Sequence, residues 1–294
     1  MCKTFDLQDN CKPIQLINMS NLEKKLIETV QYNFTYPESK PRKGLIMCPY
    51  PHSLYDLILP ILGKTKHQID MLYVWTMLNI NPEPIILQLL KKSAGWPLPS
   101  YGGVCGRLEV VADEGVSLST LTHVTFRKKL IYAQKILEAA MDFTYKHDRF
   151  RFYLMDWSLD NIVANEADDI SFVDLEDIII LDKHVSPGTD LPNWYKRSKH
   201  EVIEPGFSFS IDNMCTHHLS DHNLWAACHV LAGDEEPYLY PLPKTLSTVR
   251  PNFEKLLTEC LNGDDRFKTV TNLHQYIKNM LVDKKLDGLD TAVS

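Results

Sequence analysis

The sequence predicts an α+β protein with its helical mass toward the C-terminal end. Three observations predict it. Phe126–His147 carries one apolar stripe at helical spacing; short apolar strand-like runs lie on both sides of it; and three more segments of helical period follow residue 220. The 294 residues are 44% hydrophobic and 23% charged, which excludes intrinsic disorder, collagen or coiled coil as the whole answer. The length admits two core units or one large domain. With 31 basic and 38 acidic side chains the net charge is −7, the opposite of a nucleic-acid binder's basic footprint.

Each element has a local reason. Residues 1–44 are polar and end in the loop-forming run Pro37 to Gly44. Leu54–Leu62 has a helix-compatible apolar pattern stopped by Gly63, and His67–Leu78 places Ile69, Leu72, Tyr73 and Thr76 on one helical face. Asn81-Pro82-Glu83-Pro84 reads as an N-cap followed by proline at the first helical position, opening a helix through Lys91. Pro99–Gly106 is glycine-rich, Arg107–Ala112 is a strand and Asp113-Glu114-Gly115 a turn. The long helix follows, its stripe made of Leu130, Ala133, Leu137, Ala140 and Met141. Strands Phe152–Met155 and Ile170–Val173 flank a polar loop as a small hairpin, and Ile178–Leu181 is another apolar run. Helices are expected over Asp221–Leu231, Phe253–Leu261 and Val270–Leu281.

No apolar run approaches the ~18 residues of a spanning helix. The start, Met1 to Asn10, lacks the basic segment and apolar core of a signal peptide. Asn18 and Asn33 nevertheless head glycosylation triplets. The seven cysteines (2, 11, 48, 105, 215, 228, 260) have no zinc spacing and are either buried thiols or up to three disulfides plus one thiol. His217, His218 and His222 likewise do not match a zinc site, and Trp96, Trp157 and Trp225 read as core residues. The basic run Lys196 to His200 reads as a solvated loop rather than a phosphate-docking site.

The chemistry is carried by Asp156, Asn161 and Asp174. Asp-x4-Asn alone proves nothing: with 23 Asp and 15 Asn, chance gives about one match, and the chain has a second at Asp160/Asn165. The context distinguishes them. A long helix, a strand, Asp-x4-Asn, a strand, and an Asp directly after it is the layout of a protein-kinase catalytic segment. One carboxylate must orient the acceptor hydroxyl, which fits Asp156. A carboxamide and a second carboxylate must hold hard Mg²⁺ or Mn²⁺ on ATP phosphates, which fits Asn161 and Asp174. Asp221, opening a downstream apolar helix, is expected either to accept main-chain N–H bonds from the catalytic loop or simply to cap its helix.

The stretches Pro82 to Pro84, Tyr101 to Arg107, Leu154 to Asn161, Val173 to Glu176, Phe207 to Cys215 and Asp221 to Asn223, with Cys228 and Cys260, resemble the divergent protein kinase domain family 2. This is the deleted-in-autism group of secretory-pathway proteins. The resemblance runs from about Cys48 to Leu281, and Cys2 and Cys11 match a family cysteine pair. It implies a kinase-like fold divided into a polar segment 1–44, a partial small lobe 45–115, a helical lobe 116–284 and a tail 285–294. It also implies a Golgi or secreted location and disulfides, Cys215–Cys228 being one conceivable pair although sequence cannot fix connectivity. Protein substrates or cell-surface receptors become the expected partners.

Departures from the kinase pattern weigh on activity. Leu154-Met155 stands where His-Arg is usual, Ser158 where lysine is usual, and Glu176 where glycine is usual. Glu176 either adds a carboxylate to the metal site or makes a surface ion pair, and Glu83 reads as a first-turn residue favoured by the helix dipole. No glycine-rich phosphate loop and no strand lysine paired with a helix glutamate precede residue 99, as if the small lobe began late. A pseudokinase acting as a secreted ligand or scaffold is the favoured expectation; an atypical ATP- and metal-dependent protein kinase is the alternative.

Overall fold

In the computed structural model, which describes residues 45–49, 53–62, 74, 77–78, 81–105, 108–185, 194–197, 210–233, 237–246 and 249–282, the chain is organised around one long helix. Before it come β1 (Ile46–Cys48), α1 (Ser53–Leu62), α2 (Glu83–Leu89), β2 (Tyr101–Cys105), β3 (Leu108–Val111) and β4 (Val116–Ser117). The long helix is α3 (Phe126–Tyr145). After it come β5 (Phe150–Leu154), β6 (Ile162–Ala164), β7 (Ile170–Phe172), β8 (Ile178–Asp182), β9 (Trp194–Tyr195), α4 (Ile211–Cys215) and β10 (Leu219–Ser220). Helices α5 (His222–Ala232), α6 (Arg250–Asn262) and α7 (Arg266–Val282) complete it. The α+β plan is as expected. The helix expected over 67–78 lies largely outside the described residues, as do Cys2, Cys11, Asn18 and Asn33.

α3 forms where its stripe predicts. Thr125 caps it by accepting the Lys128 N–H at 3.3 Å. Leu130, Ala133, Leu137 and Ala140 are fully buried, joined by Phe126, Ile136 and Phe143, and the helix packs against α5 and α7. Met141, on the edge of the stripe, is only partly buried. The entry to α2 differs from expectation. Pro82 is the cap residue and Pro84 lies within the first turn, while the Asn81 side chain accepts the Glu83 N–H at 2.7 Å. The helix ends at Leu89, and the chain turns into a 3₁₀ segment at Lys92–Ala94.

The strands around the polar loop do not pair with each other. β5 runs antiparallel to β8, with Leu154 opposite Ile178, and β8 runs parallel to β1. β7 pairs instead with β6, inside the loop, and β6 with β4. The physical reason is burial: all five β8 residues are buried, so it serves as a central strand and takes β5 as its neighbour. The loop after β5 is thereby left free of ladder bonds. Gly115, at φ +106°, lets β4 approach β6; a Cβ there would sit 2.1 Å from the Ala164 carbonyl oxygen.

Among the described residues two disulfides are present, Cys48–Cys215 and Cys228–Cys260, so the pairing Cys215–Cys228 is incorrect. Cys215 ends α4 inside a small core with Ile46, Tyr153, Ile179 and Met214, which brings it to β1. Cys228 is in the main core, where α5 meets α6 and its Cys260.

Candidate functional site

The site is built by the loop between β5 and β6 and the turn after β7. The Met155 N–H donates to the Asp177 carbonyl at 3.2 Å, fixing the chain just before Asp156. A turn then brings Asn161 back: its N–H donates to the Ser158 carbonyl at 3.2 Å and to Ser158 Oγ at 3.3 Å. From below, Ser117 Oγ donates to the Leu159 carbonyl at 2.8 Å. The Val173 N–H donates to the Asn161 carbonyl at 2.9 Å, which seats the residue before Asp174 directly on the loop. Asp174 adopts φ +61°, a left-handed conformation that costs an L-residue energy and that aspartate tolerates better than most.

These bonds bring the three residues together. Asp156 and Asp174 are exposed to the cleft and Asn161 partly so. The Asp156 carboxyl titrates above its ordinary range: burial of its base raises it, the Asn161 carboxamide hydrogen-bonded to it opposes the rise, and the charges of Asp174 and Asp160 add to it. Two carboxylates that repel, with a carboxamide hydrogen-bonded to one of them, are hard oxygen donors of the kind that suits Mg²⁺ or Mn²⁺. Among the described residues no group of three or more His, Cys, Asp or Glu converges as a metal cage. Glu176 is exposed beside this set.

Glu83 has a role the helix dipole does not describe. Its carboxylate accepts the N–H groups of Leu175 and Asp174, so α2 holds the peptide that carries Asp174. Burial pushes its carboxyl up, and the neighbouring Asp174 charge adds to that. Glu109 on β3 was missed by sequence reading. It is pushed up to about 7, first by burial and then by the Glu83 charge, and its Oε1 is buried without a hydrogen-bond partner. The available signal was an acidic residue inside the otherwise apolar strand Leu108–Val111.

The role expected of Asp221 belongs to its neighbours. Asp221 makes no cap bond; it accepts the Arg197 N–H at 2.7 Å and pairs with the buried Arg266. The strand leading to Asp156 is held instead by Asn223, whose Oδ1 accepts the Leu154 N–H at 3.2 Å. It is held also by His222, whose Nε2 donates to the Leu154 carbonyl at 2.7 Å. The first turn of α5 points these two side chains at β5 and leaves Asp221 facing α7. The basic run is not solvated at its second residue: Arg197 is buried, its guanidinium 3.3 Å from the Trp225 ring centre. Lys196 does reach solvent, beside Asp264 at 2.7 Å, and residues 198–200 lie outside the described residues. Trp96 and Trp157 pack with Phe143 and Phe172 behind the loop, as core residues. His217 donates to the Asn213 carbonyl at 2.6 Å.

Comparison with known proteins follows the same residues. A family model described as the protein-kinase domain of FAM69 matches residues 74–263, which include Glu83, Glu109, Asp156, Asn161, Asp174 and Asp221. The chain is similar to proteins called Divergent protein kinase domain 2A: 30% identical to that of Xenopus tropicalis, and 29% to those of Homo sapiens and Mus musculus. Each match covers 80% of this chain and 60% of the relative, so the chain spans well under two thirds of those proteins.

Proposed function

The chain belongs to the family of the FAM69 protein-kinase domain, and from that premise we propose that it works as a pseudokinase: a secretory-pathway binding protein that takes up metal-bound nucleotide without efficient phosphoryl transfer. Its partners are secreted proteins or a cell-surface receptor. Asn161 and Asp174 hold Mg²⁺ or Mn²⁺, and Asp156 faces the acceptor side. The ion, when bound, supplies charge neutralisation of the phosphates.

The observation that carries this reading is the surroundings of Glu83. Among the described residues no lysine or arginine pairs with it; it meets the N–H groups of Leu175 and Asp174, and the Glu109 carboxyl stands nearby. Phosphoryl transfer depends on positive charge placed around the phosphates. A cleft whose inner wall carries two carboxyls favours binding through a cation over transfer. The two disulfides support an oxidising compartment. We assign residues 45–115 to a partial small lobe and 116–284 to the helical lobe, with 1–44 and 285–294 as flanking segments.

The test is a thermal-shift titration with ATP and Mn²⁺ or Mg²⁺, beside Asp174→Ala and a phosphotransfer assay. A ligand at 100-fold excess over Kd stabilises by about 2.7 kcal/mol. The expected outcome is a metal-dependent shift that vanishes in the variant, with no transfer above background. No shift in a well-folded chain overturns nucleotide binding and leaves the extracellular partner as the function. Transfer that is lost in Asp156→Ala establishes the second reading, an atypical protein kinase. That reading is favoured by the raised Asp156 carboxyl, a better proton acceptor than an ordinary aspartate. Glycosidase treatment and reducing against non-reducing mobility test the compartment; no change in either places the chain elsewhere.

A further inference from the structure

β5 leads to Asp156, yet its last residue, Leu154, and Met155 after it have no polar side chains with which to fix their own peptides. The fixing groups come from α5. His222 is fully buried. Its Nε2 lies 2.7 Å from the Leu154 carbonyl oxygen, so this nitrogen carries a proton and donates. Its Nδ1 lies 3.0 Å from Arg197 Nη1, and a guanidinium only donates, so Nδ1 accepts. The two partners together specify a neutral imidazole in one tautomer. Asn223 completes the grip: it accepts the Leu154 N–H and donates through Nδ2 to the Phe152 carbonyl at 2.8 Å and to Thr144 Oγ1 at 3.1 Å. Both peptide groups of Leu154, two residues before Asp156, are thus held by side chains of another element.

Arg197 is itself held on three sides. Its ring-stacked guanidinium lies over Trp225, its N–H donates to Asp221, and its carbonyl accepts from Arg266 Nη1 at 3.2 Å. An unbroken path of hydrogen bonds therefore runs from α7 through Arg197 and His222 to the strand that aims Asp156.

We propose that His222 is a positioning residue, a singly protonated imidazole through which Arg197 and the helices behind it hold Asp156 in register with Asn161 and Asp174. This rests on the reading of the Asp156 loop as the working site. The path also predicts a dependency: whatever displaces Arg197 from Trp225 loosens the loop without touching it.

The test compares the full chain with His222→Phe, His222→Gln and Arg197→Met by amide hydrogen exchange and by Mn²⁺–ATP affinity. The expected result for His222→Phe is exchange about tenfold faster over 154–161, the worth of roughly one buried hydrogen bond, with α6 unchanged. Glutamine, whose amide nitrogen can donate to the Leu154 carbonyl, restores most of the protection. Nucleotide affinity falls in parallel, about tenfold in His222→Phe. Nitrogen NMR at pH 7 finds Nε2 protonated and Nδ1 bare. Unchanged exchange over 154–161, a uniform rise across the chain that glutamine does not rescue, or the opposite tautomer each overturns the proposal. If the wild-type chain binds no nucleotide, the functional reading fails, and the exchange measurement still decides the role of His222. If His222→Phe does not fold, Arg197→Met decides: the same local acceleration is expected, and its absence refutes the path.

Discussion

The two sides of the cleft are finished in different ways. On the helical side, the buried Asp221 carboxylate meets an opposite charge and hydrogen bonds. Asp221 and Arg266 pair, and Arg266 also donates to the Cys260 and Leu261 carbonyls, both at 2.9 Å. On the sheet side, Glu83 and Glu109 face each other without a cation among the described residues, and Leu108 and Val110 are 65% and 56% exposed. Among the described residues β2 and β3 form a sheet of two strands there. Such a pair is marginal by itself. The difference teaches that the Asp221 charge is answered within the helical side, whereas on the sheet side the Glu83 charge raises the Glu109 carboxyl.

The largest expected effect breaks the self-sufficient side. Arg266→Met leaves the Asp221 carboxylate buried and unpaired, and urea unfolding is expected to find a loss of about 3–5 kcal/mol. The double variant with Asp221→Leu should recover most of that, because the cost lies in the orphaned charge. Next comes the staple between α5 and α6. Cys228 and Cys260 are separated by 32 positions, and replacing both with alanine should cost about 2–4 kcal/mol, read by urea unfolding without reductant. Equal stability with and without that bond would mean that the helical side does not depend on it.

On the sheet side the sign reverses. The Glu109 carboxyl titrates at about 7 in the folded chain against 4.5 ordinarily, so the folded state keeps a proton that the unfolded state gives up. Its contribution to stability is full below pH 4.5 and is lost as pH rises through 7. Glu109→Gln should therefore flatten that decline and raise stability above pH 7 by about 1 kcal/mol, after allowance for solvent screening. A pH–stability profile identical to wild type would contradict the picture of an uncompensated sheet side. The smallest effect is the control: Lys255 and Glu259 stand 3.8 Å apart on the exposed face of α6, and Lys255→Ala should change stability by less than about 0.5 kcal/mol.

Particular residues show how far sequence reading reaches. That Asp156, Asn161 and Asp174 lie close together was legible because a short loop and a tight strand pair are local. Asn223 was passed over for Asp221, two positions earlier, because composition favours aspartate at a helix start while only the packed orientation of α5 shows which side chain meets β5. β8 read as one more apolar run; that it, rather than β7, is the partner of β5 depends on its burial as a central strand. Arg197 looked like one member of an exposed basic run, and the stack on Trp225 became visible only in three dimensions.

The sequence by itself determined the α+β order of elements, the position of α3, and the closeness of Asp156, Asn161 and Asp174. Each of these rests on periodicity or spacing over a few residues, where the chain's own geometry limits the outcome. Only the tertiary structure decided the partner of Cys215, 167 residues away, the hold of His222 and Asn223 on Leu154, and the Glu83–Glu109 confrontation. Apolar periodicity states that a face is buried; which element covers it, and which polar groups then lose water together, is set by packing between segments far apart in the chain.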